Sequence, residues 1–161
     1  MNNLVIFYSL EGHTKFIAQK IAEKINGNIL EIKPKKEYVS SGFKKYFWGG
    51  KSVVFKEKPE LLPYDVNIDD YDNIFIGTPI WVGTYVPVYN TFFDKENIHD
   101  KNIYLFASHE GGGAEKFYKN IKEVIPNNKF NGKIDFNRSL KDKEDIIKDI
   151  EMWLDDMYFN K

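Results

Sequence analysis

No cysteine occurs among the 161 residues. That absence excludes disulfides, iron–sulfur clusters, thiolate metal sites and thiol catalysis. Histidine is scarce: His13, His99 and His109 are the only copies. No two of them stand at the i, i+4 spacing of a helical metal site, so no metal is expected. Neither sign of charge dominates, with 23 basic residues against 24 acidic and a net charge of −1. A nucleic-acid binder would need a basic excess, and a polyanionic tail an acidic one.

Long apolar runs are missing too. Nothing approaches the ~20 residues of a membrane-crossing helix. The start, Met1-Asn2-Asn3, carries no basic leader and no cleavage site. The expectation is a cytoplasmic chain with neither membrane nor nucleic acid as partner. What is present fits a packed interior: 42% hydrophobic and 16% aromatic residues are too many for a disordered chain. The length suits one domain over residues 1–161 with a single sizeable core. Charge is unevenly placed, with 11 lysines against 6 glutamates in residues 1–60 but 12 basic against 18 acidic residues in 61–161. Ordinary solvated faces would give that pattern, and so would a field that orients a charged partner.

Apolar runs and helical stripes alternate. Asn3 to Tyr8 reads as a strand, and Ile17, Ala18, Ile21, Ala22 and Ile25 recur at helical spacing until Asn26-Gly27-Asn28 stops them. Asn28 to Ile32, Asp72 to Gly77, Asn102 to Ala107 and Phe130 to Phe136 read as four further strands. Phe117, Ile121, Val124 and Ile125 make a helical stripe that Pro126 ends. Ile146, Ile150, Trp153, Leu154 and Met157 make the last one, its N-terminus suited by the acidic run Asp142 to Asp145. Continuous apolar strands separated by helices imply an α/β fold, a doubly wound parallel sheet with helices on both faces. Glu37 to Leu62, with Phe43, Tyr46, Phe47 and Trp48, reads as a short helix and a long loop.

Ligands of open α/β sheets bind beyond the carboxyl ends of the strands, where the strand order reverses. Three loops there have unusual composition. Ser9-Leu10-Glu11-Gly12-His13-Thr14 leads from a strand into a helix N-terminus. It reads either as a phosphate cradle or as a plain N-cap using Ser9 or Thr14. Thr78-Pro79-Ile80-Trp81-Val82-Gly83-Thr84 offers Trp81 as a wall for a flat ring, or as a residue packed under the next helix. Ser108-His109-Glu110-Gly111-Gly112-Gly113 has three consecutive glycines, which suit a backbone passing close to a ligand or a flexible turn. Neither the nucleotide-triphosphate P-loop nor the G-x-G-x-x-G dinucleotide fingerprint occurs. A G-x-S-x-G hydrolase elbow is also missing, and Ser9 and Thr78 stand where a phospho-receiver domain needs acids. Asn137-Arg138-Ser139 fits a glycosylation sequon, which has no meaning without a secretory signal.

Taken together the three loops resemble those of the flavodoxin family. S-L-E-G-H-T is similar to its [ST]-x-T-G-x-T phosphate loop, T-P-I-W-V-G-T-Y-V-P to its P-x-W-x-G-x-x-P loop, and F-A-S-H-E-G-G-G to its Gly-rich loop. Order and spacing match over residues 3–158. The resemblance implies a flavodoxin-like five-stranded sheet of order 2-1-3-4-5 and noncovalent FMN. It implies a phosphate site of Ser9, Glu11, Gly12, His13 and Thr14. One side of the isoalloxazine would be lined by Thr78, Pro79, Ile80, Trp81, Gly83 and Thr84, the other by Ser108, His109, Gly111, Gly112 and Gly113. Glu11 stands where the family commonly has a hydroxyl, and a carboxylate beside a phosphate must point away or cap a backbone N–H. His13 could help hold the phosphate, and His109 could act at the flavin edge as a proton donor.

The function so implied is a low-potential electron-transfer flavoprotein that is monomeric and serves redox partner proteins. The alternative is an FMN-dependent NAD(P)H or quinone oxidoreductase, its pocket formed by Phe43–Trp48.

Overall fold

A computed structural model of the chain describes residues 1–38, 50, 51, 53 and 56–160. Five strands form one parallel sheet: β1 (Asn3–Phe7), β2 (Asn28–Glu31), β3 (Asn73–Pro79), β4 (Asn102–His109) and β5 (Lys129–Asn137). Their spatial order is β2-β1-β3-β4-β5. That is the order the family resemblance implied. The helices with described bounds are α1 (His13–Ile25), α2 (Val88–Lys95), α3 (Glu115–Val124) and α4 (Lys143–Leu154). The aromatic run Phe43–Trp48 lies outside the described residues.

The period-2 alternation of a strand divides each buried run between two layers. Leu4 and Ile6 of β1, Ile74 and Ile76 of β3, and Ile103 and Leu105 of β4 face Val88, Tyr89 and Phe92 of α2 and Phe117 and Ile121 of α3. Val5, Phe7, Phe75, Tyr104 and Phe106 face Ile17 and Ile21 of α1 and Ile150, Trp153 and Leu154 of α4. Each fully buried aliphatic or aromatic side chain of these layers contributes about 1.5–3 kcal/mol. Gly77 serves the second layer by having no side chain: a methyl there would stand 2.0 Å from the Phe106 ring. The ring occupies that space, so Gly77→Ala would displace the Phe106 ring and disturb the packing of this layer.

Polar groups close the amino-terminal edge of the sheet. Asn73 donates to Asn3 Oδ1 at 2.9 Å, Asn3 donates to the Ile25 carbonyl at 2.8 Å, and the Tyr158 hydroxyl joins Asn3 Oδ1 at 3.0 Å. The carboxyl edge stays open to loops. From β1 the chain runs outward to β2, whereas from β3 it runs the other way to β4. The switch point therefore lies between β1 and β3.

Candidate functional site at the switch point

Gly12 turns the chain from β1 into α1 with φ 93°, the left-handed region that glycine enters without a Cβ penalty. Among the described residues no side chain caps α1, and its first turn holds no acid. Ser9 and Thr14, the two residues that could have served as cap, are otherwise engaged. The Ser9 hydroxyl accepts from the Gly12 N–H at 3.1 Å, and the Thr14 hydroxyl shares a buried 2.9 Å hydrogen bond with Ser108. The first N–H groups of a helix have no intrahelical acceptor, and the dipole makes that end positive. An α1 left without a side-chain cap thus offers its end to an anion.

Glu11 does not turn toward that end as a cap. Its carboxylate accepts from Arg138 Nη1 at 3.1 Å, while Arg138 Nη2 donates to Glu110 at 2.7 Å. Arg138 follows β5 and is the only arginine of the chain. Sequence reasoning passed over it, although an unmatched carboxylate at Glu11 and a lone arginine among lysines were both there to be paired.

The second loop begins later than its composition suggests. Thr78 and Pro79 still belong to β3, paired with Ala107 and Ser108 of β4. Thr78 is fully buried; its hydroxyl donates to the Pro79 carbonyl at 2.9 Å and accepts from the Val86 N–H at 3.3 Å. It ties both ends of the loop rather than lining a cavity. Trp81 and Thr84 exchange both backbone hydrogen bonds around a two-residue tip, Val82 (φ 51°) and Gly83 (φ 81°). Two successive positive φ values make a type I′ turn, costly for β-branched Val82 and natural for Gly83. The half-buried Trp81 indole is braced edge-on by Tyr38 at 5.0 Å and Tyr8 at 6.0 Å between ring centroids. Edge-to-face packing on two sides fixes the plane of the indole. Burial among these rings, with Glu37 nearby, pushes the Tyr8 hydroxyl far above the usual tyrosine range.

The third loop is held by His109, the last residue of β4 and nearly buried. Its Nδ1 accepts from the Gly111 N–H at 3.0 Å, so the ring proton sits on Nε2 and is donated to Asp135 at 2.8 Å. The other Asp135 oxygen accepts from the Tyr118 hydroxyl at 2.9 Å. Burial and the Asp135 charge keep Tyr118 protonated well above its usual range. His109 is therefore an anchor for the glycine loop, set below its surface.

One narrow cleft, about 20 Å³ in volume, gathers Ser9, Glu11, His13, Thr14, Pro79, Ile80, Trp81 and Ser108 together with Leu10 and Arg138. All three loops contribute, as does the end of β5. Gly12, Thr78, Gly83, Thr84, His109, Gly111, Gly112 and Gly113, expected at the site, do not line this cleft. Thr84 accepts from Asn120 at 2.9 Å and Gly83 lies against Lys116. A wider depression of about 810 Å³, formed by His99, Asp100, Asn102 and residues 126–129, opens at the other end of the strands. It sits at the amino ends of β4 and β5, the wrong edge for a ligand of this architecture, and offers only a broad solvated surface.

Known proteins share this fold. A curated relative, the flavodoxin-like domain-containing protein BilS of Clostridioides difficile, is 30% identical over 130 residues, covering 78% of this chain and 59% of that protein. The chain thus spans about three-fifths of that relative's length, 59%. A structure described as a flavoprotein of Bacteroides eggerthii superposes with a TM-score of 0.79 at 25% identity, over 97% of both chains. A flavoprotein of Lactobacillus acidophilus in complex with FMN gives 0.73 at 20% identity, over 94% of this chain and 97% of that one. The family model described as flavodoxin matches residues 2–157, and the chain belongs to the flavodoxin family.

Proposed function

We propose that this chain holds FMN noncovalently and passes electrons, at low potential, to and from a partner protein. The observation that carries the reading is the α1 terminus without a side-chain cap, opening on the same cleft as a fixed, half-buried tryptophan. The flavin family and the FMN complex of the Lactobacillus relative support it. When bound, FMN supplies one- and two-electron chemistry, and the protein orients and tunes it.

The residues divide by role. Ser9, Gly12, His13 and Thr14 present hydroxyl, imidazole and backbone groups to the phosphate at the end of α1. Pro79, Ile80 and Trp81 line one side of the ring system, with Gly83 and Thr84 at the turn beside it. Ser108 and Gly111, Gly112 and Gly113 line the other. Glu11, Thr78 and His109 act through their neighbours: Glu11 on Arg138, Thr78 on the second loop and His109 on the third. The carboxylates of Glu11 and Glu110 oppose added negative charge, which favours a low potential.

The chain would work as a monomer in the cytoplasm, meeting its redox partner at the open carboxyl edge of the sheet. The enzyme alternative places its substrate pocket at Phe43–Trp48, outside the described residues. An absorption spectrum of the purified protein with FMN, followed by dithionite titration, tests the reading. Retained bands near ~375 and ~450 nm are expected for a held flavin. Two separated one-electron steps fit a carrier. A single two-electron step with NADH oxidation by a quinone would replace the carrier with the oxidoreductase, and no retained flavin would sink both.

A further inference from the structure

Arg138 has three properties that set it apart. It is the only arginine in a chain of many lysines, it lines the same narrow cleft as Ser9, His13 and Thr14, and its side chain is only 17% exposed. Its two terminal nitrogens are held by Glu11 and Glu110, each from a different loop. Its third nitrogen, Nε, is buried with no hydrogen-bond partner among the described residues. A buried guanidinium N–H without an acceptor is costly, and a group that retains one fits a missing acceptor.

We propose that Arg138 is a charged ligand of the cofactor phosphate, exchanging its bond to Glu11 for the phosphate oxygens while Glu110 keeps hold of it. This rests on the reading that the cleft takes a phosphorylated flavin. The direction of exchange follows from position. Glu11 lines the cleft and Glu110 does not, so an anion entering it meets the Glu11 carboxylate first. Two negative groups cannot share that space without one withdrawing. Arginine presents planar N–H groups that suit phosphate oxygens: the Nη1 group that Glu11 releases takes them, while Nε shares its edge with the Nη2 group that Glu110 holds. The carboxylates neutralise the buried cation, since an unpaired buried charge would be strongly destabilising. Phosphate recognition is then not the work of neutral hydroxyls and backbone alone. It is a counter-ion exchange between a loop after β1 and a residue after β5, and it separates FMN from riboflavin.

Fluorescence titrations of the full chain with FMN and with riboflavin test this. Arg138→Gln is expected to weaken FMN by about 10- to 100-fold, the scale of a lost charge-assisted bond, while riboflavin affinity stays as in the wild type. Glu11→Gln is expected to move FMN the opposite way, tightening it about two- to fivefold with riboflavin again unchanged. Arg138→Lys should fall between wild type and Arg138→Gln. Equal losses for both ligands in Arg138→Gln would mean a structural role and overturn the proposal, as would no loss for either. Should Arg138→Gln fail to fold, Glu11→Gln decides: FMN affinity unchanged or weakened there overturns it. Failure of the wild-type chain to bind FMN at all is a distinct result, which removes the function reading and this proposal with it.

Discussion

Thr14 and Ser108 share a buried 2.9 Å hydrogen bond although 94 residues separate them. The bond joins the first turn of α1 to the end of β4, and so fixes the first and third loops relative to each other. Both hydroxyls are buried, so neither finds water if its partner is lost. Thr14→Val and Ser108→Ala are each expected to cost about 1 kcal/mol of stability, more where one hydroxyl is stranded. In a double-mutant cycle by urea unfolding, the pair should show a coupling of at least about 0.5 kcal/mol. Additive losses would mean that the two loops are positioned independently.

His109 links the glycine loop to the body of the sheet through Gly111 on one side and Asp135 on the other. His109→Leu removes the bonds to the Gly111 N–H and to one Asp135 oxygen, at a cost of about 0.5–1.5 kcal/mol each. A glutamine can accept with its carbonyl and donate with its amide, so His109→Gln should recover part of that stability. FMN affinity is expected to follow the same order, wild type above Gln above Leu. Identical affinities in all three, measured by fluorescence titration, would show that the loop does not depend on its anchor.

Val82 and Gly83 form a turn whose backbone geometry is available to glycine and unfavourable for valine. Val82→Gly should stabilise the protein by about 1 kcal/mol by removing left-handed strain. Gly83→Val adds the same strain at the second turn position, where a backbone carbonyl or N–H would meet the flavin. The expected result in the FMN-loaded protein is a shift of the midpoint potentials, read by equilibrium redox titration. Unchanged potentials in Gly83→Val would remove backbone tuning at this turn from the account.

The strands themselves were legible because they depend on patterns local in sequence, whereas their order came with the family resemblance of the loops. Apolar runs gave the strands, and the three unusual loops fell at their ends. Strand length was less legible. Thr78-Pro79 and Ser108-His109 look like loop by composition, yet the ladder continues through them because each has a neighbour to pair with. Proline can end a parallel strand in this way without breaking it. The role of His109 as an anchor depends on Asp135, one strand away, and could not be read along the chain. Arg138 was hidden for the same reason, since only the sheet brings the end of β5 beside the loop after β1. Ser9 and Thr14 were open between cap and cradle because both roles use the same residue types. The partner of Thr14 on β4 removes Thr14 as the cap of α1.

Tyr8 gives a prediction with a definite sign. Burial raises its hydroxyl far above the ordinary tyrosine value of 10.0, with Glu37, Tyr38 and Glu31 adding to the shift. Below that ordinary value the folded and unfolded chains both keep the proton, and Tyr8 adds no pH dependence. Above it the unfolded chain ionises while the folded one does not, so the stability tied to the buried neutral hydroxyl is lost as pH rises. The loss is about 1.4 kcal/mol per pH unit for each tyrosine held in this way. Tyr89 and Tyr118 are raised as well, so the wild-type protein should lose stability steeply in the alkaline range. Tyr8→Phe should flatten that slope by one tyrosine's share. At neutral pH it also removes a buried O–H that has no partner among the described residues, so stability there should hold or rise. Urea unfolding of both proteins at neutral pH and at two alkaline values measures the difference. An unchanged alkaline slope in Tyr8→Phe would mean that the hydroxyl reaches water, and with it that the edge-on packing around Trp81 is looser than the ring distances imply.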